Sequence, residues 1–274
     1  QDICGGIAFT TPAFLSTVSN TTYSWSLDQP SAVPSTLTGY PVNGVGDLQG
    51  QIINNSGSVA YTLNYSILPN AAGCVGVVEQ FSLTVNPAPV VQFDIPDQVI
   101  CSGDATSLVT LTSSTPGATF DWTVTSQPSS ITGVSTTQGT TSIPAMTLSN
   151  GLSSVETLVI TATATTSGGS ACPGAPTDYT ININPTPTIN SVSNQTVCNG
   201  AQTQLVNFSG TATQYSWQNA DASIGLNSNG VGDIASFSAI NTGQSVLNSS
   251  ITVTPEFAVN GVTCSGTPIS FDYI

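Results

Sequence analysis

The side chains best able to do chemistry in this 274-residue chain are six cysteines, fourteen carboxylates and three tryptophans; Lys, Arg and His are absent. Thiols can form disulfides, ligate metals or attack electrophiles, carboxylates can move protons or hold hard cations, and indoles can stack. The missing residue types remove most catalysis. Ser-His-Asp and Cys-His arrangements need an imidazole, Schiff-base chemistry needs an amine, and phosphoryl transfer normally places Lys or Arg on the phosphates. A two-carboxylate glycosidase survives by residue type. No Asp-Thr-Gly or Asp-Ser-Gly marks an aspartic protease, however, and the carboxylates are scattered. The expectation is a protein that is not an enzyme.

The cysteines are ordered. Cys4, Cys101 and Cys198 are each 97 residues apart and share a context, Ile3-Cys4-Gly5-Gly6, Ile100-Cys101-Ser102-Gly103 and Val197-Cys198-Asn199-Gly200. Cys74, Cys172 and Cys264 follow them by 70, 71 and 66 residues. An aromatic-x-Trp element comes between, as Tyr23-Ser24-Trp25, Phe120-Asp121-Trp122 and Tyr215-Ser216-Trp217. An even cysteine count in a repeat-built β-protein is the usual setting for disulfides. The expected pairs lie within units: Cys4 with Cys74, Cys101 with Cys172, and Cys198 with Cys264. Each would close a loop worth about 4 kcal/mol in the chain-entropy model. Structural zinc needs closely spaced ligands, and there is no Cys-x2-Cys or His; a reactive thiol would need a cationic neighbour, and there is none.

These residues must be positioned by strands. Alternating runs rich in Val, Ile, Thr and aromatics predict strands over Val59 to Ile67, Leu108 to Leu111, Val155 to Thr163, Leu205 to Phe208 and Ser249 to Phe257. Seven residues after each second cysteine an aromatic, Phe81, Tyr179 or Phe271, opens another alternating run, so the last two strands of each unit form a hairpin carrying that cysteine. No window has helical periodicity with cap signals. Units of about 97 residues with one buried Trp fit an immunoglobulin-like β-sandwich. Asn86-Pro87-Ala88-Pro89 and Asn184-Pro185-Thr186-Pro187 read as stiff joints, because proline fixes φ and removes a donor. The expected domains are 1–90, 91–188 and 189–274, the last strand of the third being truncated. Each would advance a rod by roughly 30 to 40 Å, on strands of ~3.3 Å per residue.

A net charge of -14 with 5% charged residues leaves a surface of Ser, Thr, Asn, Gln and Gly and no salt bridges. Nucleic acid and anionic membrane surfaces are recruited by Lys and Arg, so neither is an expected partner. No apolar run approaches the roughly 20 residues of a membrane span, so no direct insertion is expected. Trypsin-like proteases have no cleavage point; prolonged digestion of native and of reduced, denatured protein is expected to leave both intact.

A divalent cation is the one charged ligand this composition favours, and calcium takes oxygen ligands. Asp47 and Asp233 follow the turns Gly44-Val45-Gly46 and Gly230-Val231-Gly232, and Asp94 with Asp97 lies beside the first joint. These four are the candidate calcium ligands, set against an ordinary glycine turn capped by a solvated Asp; no EF-hand loop pattern occurs. Trp25, Trp122 and Trp217 are read as core aromatics rather than sugar-stacking surfaces.

With these elements in order, the chain resembles the PKD-like repeats of Bacteroidota surface proteins. The third unit matches the pattern most continuously, through Val197 to Gly200, Tyr215 to Trp217, Gly230 to Ile234 and Cys264 to Pro268. In the second unit the Gly-x-Gly-Asp turn is not recognisable, and Gly133-Val134 is a poor substitute. The resemblance implies tandem arrays in large secreted adhesins, gliding-motility adhesins or surface filaments, exported by type IX secretion. The implied role is a structural stalk or filament segment at the bacterial cell surface, with further copies of the repeat as partners in the same or neighbouring chains. A surface glycan or protein would be gripped by a domain outside this chain; a ligand-binding adhesin domain is the alternative. The chain starts three residues before a repeat cysteine and stops two short of the Asn-Pro position, so it is expected to be an excerpt.

Overall fold

A computed structural model describes residues 1–10, 13–166 and 171–274. It is all-β; among the described residues helix is limited to two 3-10 turns, Pro30–Ala32 and Ala222–Ile224. The same sheet is built three times. In the first unit a short entry strand, Asp2–Cys4, lies beside a return strand, Glu79–Asn86; next come a long strand, Tyr61–Ala71, a tryptophan strand, Thr21–Leu27, and a glycine strand, Asn43–Val45. The second unit repeats that order with Gln98–Cys101, Thr177–Asn184, Glu156–Thr166, Ala118–Ser126 and Gln138–Gly139. The third does so with Ile269–Tyr273, Ser249–Val259, Gln214–Asn219 and Asn229–Val231, its entry segment reduced to a parallel bridge from Gln195 to Tyr273.

One pairing decides where the cysteines go. The entry strand runs parallel to the return strand, with Cys4 opposite Asn86 and Cys101 opposite Asn184. The long and return strands are antiparallel and form the expected hairpin, so the hairpin tip and the end of the return strand lie at opposite ends of a unit. The first cysteine of a unit therefore sits where the chain leaves it, and the second at the end facing the unit before.

Alternation along the long strands puts Leu63, Tyr65 and Ile67, then Leu158, Ile160, Ala162 and Ala164, then Ile251, Val253 and Phe257 into buried positions. Phe257 apart, each set belongs to its own hydrophobic cluster containing that unit's Trp. The facing layer is less regular, as its Gly, Pro, Asn and Ser content dictates. In the second unit it holds Gln92–Phe93, Val109–Thr112 and Ser142–Ile143 as a three-stranded sheet. In the third it is reduced to bridges, including Val206 to Ile234. The predicted strand over Leu205 to Phe208 is accordingly replaced by that single bridge, because the Phe208 amide turns to the Asp233 carboxylate at 2.8 Å instead of a neighbouring strand.

Candidate functional site

The disulfides do not close the units. Cys4 is bonded to Cys172, Cα to Cα 5.3 Å, and Cys101 to Cys264, 5.5 Å. The expected pairs Cys4 with Cys74, Cys101 with Cys172 and Cys198 with Cys264 are all overturned, as is one disulfide per domain. The reason is geometric. Cys4 lies opposite Asn86 at one end of the first sheet, whereas Cys74 pairs with Ala71 at the other. The return strand between those levels has eight residues, which at ~3.3 Å each separates the two ends by roughly 25 Å. A disulfide tolerates no more than about 7 Å between Cα atoms. The neighbouring unit's hairpin is within reach, so the first cysteine of each unit staples the second cysteine of the next. Cys74 and Cys198 carry no bond and are exposed.

Each staple sits inside a packed joint. The hairpin cysteines Cys172 and Cys264 are 0% and 2% exposed. Two residues on, Gly174 and Gly266 receive the carbonyl oxygens of Pro89 and Pro187 from the incoming linkers; a Cβ on either glycine would overlap that carbonyl. The linker prolines Pro87, Pro89, Pro185 and Pro187 are buried while Ala88 and Thr186 are exposed, so the joints are part of the packing and not bare spacers. Asn184, fully buried at the second joint, donates through Nδ2 to the Val259 carbonyl of the third unit at 3.5 Å. The second cysteines were legible in the sequence; that the glycine two residues after Cys172 and Cys264 admits a linker carbonyl was not.

The tryptophans are core residues, 8%, 1% and 7% exposed at Trp25, Trp122 and Trp217. Each lies opposite a glycine of the adjacent strand, Gly44, Gly139 and Gly230. A Cβ on Gly44 or Gly230 would enter the indole, and on Gly139 it would come to 2.8 Å from three ring atoms. The first glycine of Gly-x-Gly-Asp is therefore a seat for the Trp. The second unit keeps that seat in Gly139, and Gly133-Val134 plays no part in it. Gly139 was hidden because Thr140 and Thr141 stand where the other units have Val and the second Gly; counting back from the Trp pairing would have found it.

The four candidate calcium ligands all accept backbone amides. Asp47 accepts from Phe14 at 3.1 Å and Asp233 from Phe208 at 2.8 Å, in equivalent places. Asp94 accepts from Thr110 at 2.8 Å and Asp97 from Thr180 at 2.9 Å. In the third unit the place of Asp97 is taken by Asn194, which accepts from Asp272 at 2.9 Å; a neutral oxygen does the same work there. The described residues contain no group of three or more Asp, Glu, His or Cys that would hold a metal ion.

The phenols report the dryness of the cores. Burial raises Tyr65 well above its ordinary value, with Tyr40 adding to the effect, and raises Tyr273 to about 12. Tyr179 is also raised, chiefly by burial and further by Asp97 and Asp94, while a hydrogen bond from Gln98 opposes the shift. A cavity of about 220 Å³ in the third unit is lined by Val197, Asn199, Phe237, Val246, Leu247 and Ile274 among others, and it is mostly apolar.

Comparison with known proteins gives the same architecture a family. The model of the PKD-like domain matches residues 1–89 and again 98–187; the third unit, which resembles the pattern most continuously by eye, lies outside the matched stretches although it repeats the sheet order. No curated protein sequence matches. Similar solved structures include protocadherin gamma B2 extracellular cadherin domains 3-6 (13% identity, TM-score 0.28, 100% of this chain and 70% of that one). The insect immune protein hemolin is similar at 12% identity and TM-score 0.30, over 100% and 72%. Mouse cadherin-23 EC22-24 is similar at 11% and 0.29, over 100% and 94%. With well over half of its residues covered by two copies of the family model, the chain belongs to the PKD-like domain family.

Proposed function

We propose that the chain is a non-catalytic, load-bearing segment of an extracellular stalk or filament on a bacterial surface adhesin. The observation that carries this reading is the placement of both disulfides across joints. A bond inside a sandwich would protect one domain; a bond between sandwiches also limits how far neighbours separate or swivel. With proline carbonyls seated on Gly174 and Gly266, each joint is held by chain, packing and disulfide together. Disulfides persist in oxidising surroundings, which supports a position outside the cell. Lys-free, Arg-free surfaces resist trypsin-like proteases there.

Electron cryo-microscopy of native particles on, or shed from, the producing cells tests the reading. A filament in which the 97-residue unit recurs many times is expected. A discrete particle limited to three such units would overturn it and favour the alternative, a ligand-binding adhesin domain. Inhibition of adhesion by the isolated chain would favour the same alternative.

A further inference from the structure

The two staples overlap. The bond from Cys4 to Cys172 spans 168 residues and that from Cys101 to Cys264 spans 163. Cys101 lies inside the first span and Cys172 inside the second, so the staples are interlocked rather than consecutive. The four cysteines divide the backbone into three stretches, Cys4 to Cys101, Cys101 to Cys172 and Cys172 to Cys264. Each stretch can be bypassed. With the first cut, Cys4 is still held through Cys172; with the third cut, Cys264 is still held through Cys101; with the second cut, both bonds cross the break. Even with two stretches cut, the remaining one and the two bonds link all four cysteines. Only a cut in every stretch divides the molecule, into a part holding Cys4 with Cys172 and a part holding Cys101 with Cys264. Bonds closed inside units would behave otherwise, because one cut between Pro87 and Ala88 would then sever the chain.

Each stretch also has a place to be cut. Lys and Arg are absent, which leaves proteases that cut beside aliphatic or aromatic residues, and exposed loop tips are where nicking concentrates. Three equivalent loops are tied at their bases by one asparagine each. Asn55 accepts from the Gly57 amide and donates to the Val59 carbonyl. Asn150 does the same with Leu152 and Ser154, and Asn241 with Gly243 and Ser245. Val59 is 62% and Leu152 53% exposed, and residues 242–246 are all exposed. One such loop falls in each stretch.

We propose that the interlocked staples make this segment a cut-tolerant tether, which stays one covalent piece until an endoprotease that cuts beside aliphatic residues has opened all three stretches. This rests on the stalk reading and names what the stalk is built to survive. Each cut consumes one water and leaves a carboxylate and an amine, on ends that the bonds still hold. A single covalent thread would instead release whatever it carries at the first cut.

The test places a short protease recognition sequence without Lys, Arg or His between Val59 and Ala60, between Leu152 and Ser153, or between Gly243 and Gln244 of the full chain, singly, in pairs and all together. Cys74 and Cys198 are alkylated first, so that free thiols do not exchange with the bonds. After complete digestion the products are denatured and run with and without reductant. Without reductant, every single and paired variant is expected to give one species of uncut mass, and the triple variant two. Separation of any single or paired variant overturns the proposal. One species from the fully cut triple variant does so too, and is what bonds closed inside units would give. Limited elastase digestion of the parent chain reads the same property with no insertion. A species near the parent mass is expected to persist without reductant after it has gone from the reduced lane; equal loss in both lanes overturns the proposal. If the triple variant divides as expected while native particles prove to be discrete bodies of three units, cut tolerance stands and the stalk reading falls.

Discussion

The hairpin of the first unit and those of the second and third carry the same Cys-x-Gly triplet at the same place in the same sheet, yet their surroundings differ. Cys172 and Cys264 are buried under a neighbour, and Gly174 and Gly266 hold that neighbour's linker carbonyl. Cys74 is open, and the three atoms nearest a Cβ on Gly76 all belong to Pro69 of its own unit. The strand pairing of the hairpin is intact in all three. Within its own unit the triplet adds one backbone hydrogen bond to the long strand, Gly76 to Pro69, Gly174 to Ala164 and Gly266 to Pro255; in the second and third units it also receives the unit before it. What looks in the sequence like the clamp of a domain is the clasp of a chain.

Substitutions that separate unit from joint sharpen this contrast. The largest effect is expected from Trp122→Ala, a fully buried indole whose loss should cost about 3 to 5 kcal/mol. Calorimetry should show the second unit's transition lost or strongly lowered, with those of the first and third in place. Gly266→Ala acts on the joint. Forcing a Cβ against the Pro187 carbonyl should cost about 1 to 3 kcal/mol of docking. The yield of the Cys101 to Cys264 bond on oxidative refolding should fall, with three intact unit transitions. Gly76→Ala, measured in parallel, should leave the Cys4 to Cys172 and Cys101 to Cys264 yields unchanged. If Gly76→Ala and Gly266→Ala behave alike, the contrast between the hairpins is broken.

Alkaline titration reads the cores alone. Tyr65 and Tyr273 ionise above their ordinary value of 10.0 in the folded protein, Tyr273 at about 12. The unfolded chain releases those protons first, so it binds fewer protons between pH 10 and 12 and stability falls as pH rises through that window. Melting temperature should be flat between pH 7 and 9 and drop from pH 10 upward. Chains carrying both Cys74→Ser and Cys198→Ser should be used, because free thiols would otherwise exchange with the disulfides. A flat profile to pH 12 would contradict buried phenols.

The smallest effect is expected at Asp97. Its carboxylate accepts one amide, and Asn194 does the same in the third unit. Asp97→Asn should change stability by less than about 0.5 kcal/mol, whereas Asp97→Ala removes a hydrogen bond worth roughly 1 kcal/mol. Added calcium should shift the melting temperature of the parent and of Asp97→Asn equally. A calcium shift present in the parent and absent in the variant would restore a cation site at the first joint.

Much of this was legible in the chain. The 97-residue spacing of Cys4, Cys101 and Cys198 announced three units, and the alternating runs at Val59, Val155 and Ser249 became the long central strands within two residues of their predicted starts. The tryptophans announced themselves as core by recurring once per unit. Disulfide partners did not, because spacing along a chain says nothing about which end of a sandwich a residue occupies. That depended on the entry strand lying parallel to the return strand, a long-range pairing with no local signal. The edge over Leu205 to Phe208 misled for a related reason: its alternation is strand-like, but an Asp side chain took the amide that a ladder would have used.

The most direct measurement is a disulfide map of the native protein, digested with chymotrypsin or pepsin under non-reducing, acidic quenching conditions and read by mass spectrometry. Peptides joining Cys4 to Cys172 and Cys101 to Cys264 are expected. Peptides joining Cys4 to Cys74, Cys101 to Cys172 or Cys198 to Cys264 would contradict the account and return the cysteines to the individual units.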